Sequence, residues 1–325
     1  MAELIDILLL AFMLVTALFV VRTRDLLAAT MLLGAYSLLS AGMFMVLDAV
    51  DVAFTEAAVG AGVSTILMLY ALVASGRFER TPTRPQWLPL LVVLATGAAL
   101  VWGTFDLPPV GAPGNPVHQH VAPRYLQQSG AEIGIPNVVT SVLASYRGYD
   151  TLGETAVVFT AGLGVWLLIG GLQRRGAAAP VLASAPHANL ILRVVSKFLI
   201  PVILLFGLYV QFHGELGPGG GFQAGVILAS ALIVHLQVFG ADQTRQIVPE
   251  SLLRVLAPLG VLLYGGTGVA GLLLGGNYLD YHPLGRTPVG GQHLGILLVE
   301  LGVALTVSST MLLLCYLFAA RVARR

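Results

Sequence analysis

The stretch YVQFHGELGPGGGFQAG, Tyr209 to Gly225, decides how this chain folds: an apolar helix runs into glycines and a proline, and a second apolar helix starts at once. Glycine costs about 1 kcal/mol and proline about 3 kcal/mol relative to alanine inside a helix, so the chain must turn between Gly214 and Gly221. Gly217, Gly219, Gly220 and Gly221 around Pro218 free the backbone for positive φ or close approach, and form a structural turn. His213, Glu215 and Gln223 bring polar groups to the same place. A tight hairpin packed on its neighbours and a functional turn both fit this pattern. A nucleotide site does not, because a phosphate loop ends in Gly-Lys before Ser or Thr, and here the glycines lead into Phe222 and Gln223.

Composition sets the solvent. Over 325 residues, 57% are hydrophobic and only 10% charged, more apolar surface than a water-soluble globule could bury. A hydrocarbon core of roughly 30 Å needs about 20 apolar residues per helix, and such windows recur along the chain. The expected fold is an all-α integral membrane protein with nine transmembrane helices, at about 4–21, 26–47, 53–74, 88–105, 152–172, 190–212, 221–240, 252–275 and 292–319. Alternating ten-residue strands, which a barrel would need, are absent. The first span lacks a preceding basic flank and is followed directly by Arg22 and Arg24, so it reads as a retained span and not a removed signal peptide. Fourteen of the seventeen Lys and Arg residues fall in loops on one side, leaving Arg124, Arg147 and Arg286 on the other. The positive-inside rule then places the N-terminus outside and the C-terminus in the cytoplasm. A net charge of +1 gives no reason to expect nucleic acid, and membrane lipid is the expected surrounding. Cys315 is the only cysteine, which excludes disulfides and zinc or iron–sulfur ligation by this chain; no metal site or cofactor is expected.

Two composition shifts divide the chain. Arg, Thr, Pro and Gly from Gly76 to Gln86, and Ala, Pro and Ser from Gly176 to Ala188, mark linkers, giving modules over 1–80, 81–175 and 176–325. In the first module, DVAFTEAAVGAGVSTILMLYAL places Glu56 one turn into the third span, followed by small residues that let another helix approach. Glycine at this density also weakens regular helical hydrogen bonding and leaves room for a bulge or hinge. In the second, Asp106 to Pro136 is rich in proline and shows neither helical nor strand periodicity, which predicts an ordered extracytoplasmic loop. His118 and His120 within it lack an obvious third ligand and read as surface residues. Val138, Val139, Val142 and Leu143 predict a short amphipathic helix on the membrane surface.

The intramembrane polar groups are the candidate site residues. Arg147, Asp150 and Glu154 cluster at a span entry, where they neutralise and cap one another or belong to a proton or cation path. Lys197 lies about two turns into the sixth span, where both a buried and a snorkelling side chain are consistent with its length. His235 titrates in the range for proton transfer, or bonds a carbonyl. Glu300 lies eight residues into an apolar run, roughly 12 Å along the helix, and calls for a polar partner or a water path.

In this order, these stretches carry a resemblance. FGLYVQFHGELGPGGGFQAGVILASALIVHL resembles the B subunit of the Mrp multisubunit cation/proton antiporters and its homologue in membrane-bound hydrogenases. DVAFTEAAVGAGVSTILMLYAL is similar to the D subunit of membrane-bound hydrogenase, and SVLASYRGYDTLGETAVV to its E subunit, both equivalent to the C-terminal part of the large Mrp A subunit. The resemblance implies an accessory membrane protein of a larger complex, without redox or hydrolytic chemistry of its own, in the cell membrane. It would support assembly of a Na+ (or other monovalent cation)/H+ antiporter and contribute to its ion path. The implied partners are the antiporter-like A and D subunits and the small C, E, F and G subunits. Glu56, Glu154, His213 and Glu215 would line or support the proton and sodium paths. The fusion departs from the usual Mrp arrangement, so a hydrogenase-like or complex-I-related redox-driven pump stays open as the parent complex, as does a purely structural scaffold.

Overall fold

With no water to satisfy backbone groups inside a bilayer, the apolar runs can only be helices. The computed structural model describes residues 2–80, 87–109, 111–170 and 190–322. Among these residues, nine helices are long and apolar enough to cross a membrane: Leu4–Arg22, Leu26–Val46, Val50–Val73, Trp87–Thr104, Gly148–Ile169, Leu190–His213, Gly221–Phe239, Glu250–Leu273 and Pro288–Ala320. They are the first to ninth spans below. No strand occurs among the described residues beyond one isolated bridge, Asp25 to Phe78. The linker at 176–188 and Arg84, Arg174, Arg175, Arg324 and Arg325 lie outside the described residues.

The ninth span is the hub. It packs along the seventh and eighth and also meets the third and fifth. Its buried face, Ile296, Val299, Val303, Val307 and Leu312, forms one core with Val226, Ala229 and Ile233 of the seventh span and Tyr264 of the eighth. Thr306 Oγ1 donates to Ala257 O at 3.0 Å, tying the ninth span to the eighth. The first three spans pack in sequence, as their short connections require. Asp25 caps the second span through Leu27 N and pairs with Arg77 at 2.6 Å, closing this unit at one end. The fourth span buries no residue of its own against the chain.

Local structure departs from plain spans and loops in several places. The glycine-rich middle of the third span, Ala57–Ser64, is a π-helix between α-helical halves Val50–Glu56 and Thr65–Ser75. The bulge that glycine permits is therefore present, and Ser64 Oγ donates to Gly60 O at 2.6 Å within it. The loop after the fourth span corrects the expectation of no periodicity: Ala122–Glu132 is a helix. Its proline, Pro123, sits in the first turn, where a missing N–H costs nothing. The segment after it is a short helix. Thr140, Ser141 and Ala144 form its buried face, and Val139 and Leu143 remain exposed. The helix there is one turn, Val138–Thr140, followed by a π turn, Ser141–Tyr146.

Candidate functional site

The glycine turn is built to bring the seventh helix against the ninth. The sixth helix ends at His213, and Leu216 N and Gly217 N donate back to His213 O at 2.8 and 3.0 Å. Gly220 then adopts φ +116, a region that costs glycine little, before the seventh helix begins at Gly221. A Cβ on Gly221 would overlap the backbone carbonyl of Glu300, so only glycine lets the two helices touch here. The turn is clamped by the segment that precedes the fifth span. Asn137 Nδ2 donates to Gly214 O at 3.1 Å and Gly217 O at 3.0 Å, and Thr140 Oγ1 donates to Gly214 O at 2.6 Å.

Beside this turn lies a cavity of about 240 Å³. Asp51 and Thr55 of the third span line it, with Thr140 and Leu143 of the short segment, Glu154 of the fifth span, Gly219 to Gln223, Tyr264 of the eighth span, and Glu300 of the ninth. Three carboxylates from three parts of the sequence thus face one space, and no Lys, Arg or His lines it. Glu300 is half-buried, and its carboxylate makes no hydrogen bond to any described residue. A Cβ on Gly214 would sit 3.2 Å from its Oε2, and one on Gly220 3.1 Å from its Oε1. Its carboxylate therefore lies against the start of the seventh helix, whose first N–H groups lack intrahelical partners and favour negative charge. Asp51 Oδ1 accepts from Gly219 N at 3.4 Å, and Tyr264 Oη donates to Gly148 O at 2.7 Å. Carboxylates confined together without a basic partner exchange protons or bind cations more readily than they stay bare.

The other candidates are distributed elsewhere. Glu215 pairs with His293 Nδ1 at 2.8 Å, at the outer end of the ninth span and two helical turns from Glu300. His213 stacks on Tyr209, with ring centroids 4.9 Å apart, and faces an apolar groove toward Ala53 and Phe54. Glu56 points to the second span: a Cβ on Gly60 would sit 2.5 Å from Glu56 Oε1 and 2.6 Å from Ser37 Oγ. Arg147 and Asp150 pair with each other at 2.5 Å on the exposed surface, away from the cavity lining. Lys197 is exposed on the sixth span. His235 Nδ1 lies 2.8 Å from Thr244 Oγ1. That hydroxyl already donates to Gly240 O, so Nδ1 must be the donor. Among the described residues no three His, Cys, Asp or Glu side chains come close enough to hold a metal ion.

Three residues of this arrangement carry little signal in the sequence. Asp51 reads as a loop charge, His293 as a polar residue near a span end, and Tyr264 as one aromatic among glycines and leucines. The seven-residue spacing of His293 and Glu300, which puts both on one helix face, is the one pattern that could have revealed the second of them. Outside the spans, Glu132 accepts from Tyr146 Oη and from Arg124 at 3.0 Å, and these two donors hold its carboxyl below the usual range. Burial, then Glu132, pushes Tyr146 up to about 12.

Fold and cavity together define a class: a multi-pass helical membrane protein with a cavity between its spans that three carboxylates line. Comparison with known proteins narrows this. A family profile described as "Domain related to MnhB subunit of Na+/H+ antiporter" matches residues 191–313. Profiles for the D and E subunits of MBH match residues 11–77 and 89–185. The Na+/H+ antiporter B subunit of Alkalihalophilus pseudofirmus is 33% identical over 132 residues, 38% of this chain and 91% of that protein. A probable K+/H+ antiporter A/B subunit of Rhizobium meliloti is 27% identical over 319 residues, 89% of this chain and 31% of that protein. A protein in the structure of the Mrp complex from Dietzia sp. DQ12-45-1b superposes with a TM-score of 0.74 at 28% identity, covering 96% of this chain and 34% of that one. The chain belongs to the family of Na+/H+ antiporter B subunits, joined to segments related to the D and E subunits of MBH. It spans about a third of the length of the Rhizobium and Dietzia proteins.

Proposed function

We propose that this chain is a membrane component of an Mrp-type monovalent cation/H+ antiporter, which supports assembly and supplies part of the ion path. The observation that carries this reading is the convergence of Asp51, Glu154 and Glu300, one from each proposed module, on a single cavity without a basic side chain. A cation and a proton are alternative occupants of such carboxylates, which is the chemistry that exchange requires. Glu215 with His293 forms a polar step between the outer surface and Glu300. Glu56, His213 and His235 act as supporting groups along neighbouring helices. The modules divide at 80/81 and 175/176, and the N-terminus faces outward across the cell membrane. The partners are the antiporter-like A and D subunits with the small C, E, F and G subunits, and the chain does no redox or hydrolytic chemistry itself.

A second reading is favoured by the two MBH-related segments: the same cavity would serve the membrane arm of a redox-driven ion pump. Purification of the chain in mild detergent from its native membrane, with identification of co-purifying proteins, separates the two. The antiporter reading predicts antiporter-like subunits without metal-centre proteins. Co-purifying redox proteins would replace it with the second reading, and a lone stable chain would overturn both.

A further inference from the structure

Beyond the general acidity of the cavity, one part of its wall is oriented in a way that specifies a ligand. Gln223 sits in the first turn of the seventh helix, only 8% exposed, and lines the cavity. Its Nε2 donates to Thr55 Oγ1 at 2.8 Å. The Thr55 hydroxyl has one hydrogen and gives it to Asp51 O at 3.0 Å, so it can only accept from Gln223. This fixes the amide: the nitrogen faces Thr55, and Oε1 is left without a hydrogen-bond partner among the described residues. The place where a Cβ on Gly220 would stand is 3.7 Å from that Oε1 and 3.1 Å from Glu300 Oε1. Two oxygens, one of a carboxyl group and one of an amide and neither of them hydrogen-bonded, thus flank Gly220 where the cavity meets the turn.

We propose that a monovalent cation, shed of part of its water, binds on the cavity side of Gly220 between Glu300 Oε1 and Gln223 Oε1, with Thr55 as the positioning residue that aims the amide oxygen. Oxygen ligands suit a hard cation. The one carboxylate at this site balances one positive charge, which selects against a divalent ion that would need further acidic ligands. Asp51 and Glu154 line the approach on the cavity's other walls. This deepens the antiporter reading by naming the cation's ligands, and rests on it only for the transport assay.

The test uses the whole complex, in everted membrane vesicles and after purification. In vesicles, the Na+ concentration giving half-maximal proton release should rise about tenfold in Gln223→Met, the loss expected for one oxygen ligand worth about 1.4 kcal/mol. Thr55→Ala should raise it less, and Thr55→Ser should restore it, a pattern that general loosening of the helix would not produce. K+, Li+ and choline in place of Na+ identify the cation that the site takes. With purified complex, NaCl should raise the thermal midpoint at constant ionic strength in the wild type and not in Gln223→Met. An unchanged half-saturating concentration in an assembled Gln223→Met complex, or equal stabilisation of both proteins by Na+, overturns the site. Wild-type vesicles that exchange no monovalent cation would overturn the antiporter reading instead, leaving the stabilisation measurement to decide the site.

Discussion

Replacing Gly221 with alanine tests the contact on which the cavity depends. The added Cβ would overlap the carbonyl oxygen of Glu300 and lie 3.0 Å from its Cα. Backbone cannot swing aside as a side chain can, so the start of the seventh helix must separate from the ninth. Overpacking of this kind costs about 1–3 kcal/mol, against a helix-propensity gain for alanine of up to about 1 kcal/mol. The net is a loss, concentrated at the buried junction between the two helices that carry most of the core. Gly97→Ala is the control. Gly97 lies mid-helix on the exposed fourth span with no atom within 4 Å of the added carbon, so only the propensity gain of up to about 1 kcal/mol applies. Thermal midpoints of the purified complex, read by the fraction remaining monodisperse on gel filtration after heating, should fall for Gly221→Ala and hold or rise for Gly97→Ala. Equal midpoints for the two variants would overturn this expectation, because they would show that the seventh and ninth helices do not approach closely at Glu300.

Other consequences follow from particular contacts. Asn137→Ala removes three side-chain hydrogen bonds, those to Gly214 O and Gly217 O and the cap on Val139 N, at about 0.5–1.5 kcal/mol each, so hydrogen exchange at 214–220 should accelerate while that of the eighth span is unchanged. His293→Ala breaks a partly exposed pair with Glu215, worth at most about 1 kcal/mol, and should leave the thermal midpoint nearly unmoved. Glu132 has a lowered pKa in the folded protein, so its pairing stabilises above the usual carboxylate range and is lost as pH falls through the depressed value. Tyr146→Phe removes the first cause of that depression. Amide protection over 122–146, taken relative to the intrinsic exchange rate at each pH from 6 to 3, should therefore be lost at a higher pH in the variant than in the wild type. Glu56→Gln, on a carboxylate that faces Ser37 and not the cavity, should reduce cation-dependent proton release less than Glu300→Gln does, measured in the same vesicles.

The spans are legible in the sequence because the membrane imposes one rule on every residue of a window: about 20 apolar side chains, few charges, helix. Ends are less so. The fifth span starts at Gly148, earlier than the apolar run suggests, because Tyr149 to Glu154 are carried into the helix by the break at Arg147. The helix Ala122–Glu132 is hidden by prolines that read as breakers, and only its start shows that Pro123 occupies the permitted first turn. Glu300 stands out because it is a lone carboxylate in an apolar run. Asp51 does not, since a charge at the end of a span has a simple explanation in the interface, and nothing local says that the turn at Gly219 comes back to meet it. The orientation of Gln223 is a three-residue relay through Thr55 and Asp51, and separations of 168 residues leave no periodic trace. Charge and hydropathy are summed along the chain, whereas the cavity is defined by which of those charges the packing brings together.

Whether the cavity at Glu300 carries ions in exchange for protons is decided by proton release on adding Na+ to everted vesicles that hold the whole complex, comparing wild type with Glu300→Gln. The substitution keeps the size of the side chain and removes its exchangeable proton and its charge. The variant complex should assemble at wild-type abundance and lose at least about nine-tenths of the Na+-dependent release, a factor of ten corresponding to about 1.4 kcal/mol. Full exchange in the assembled variant would contradict an ion path through Glu300 and leave the chain a scaffold for a path carried by other subunits.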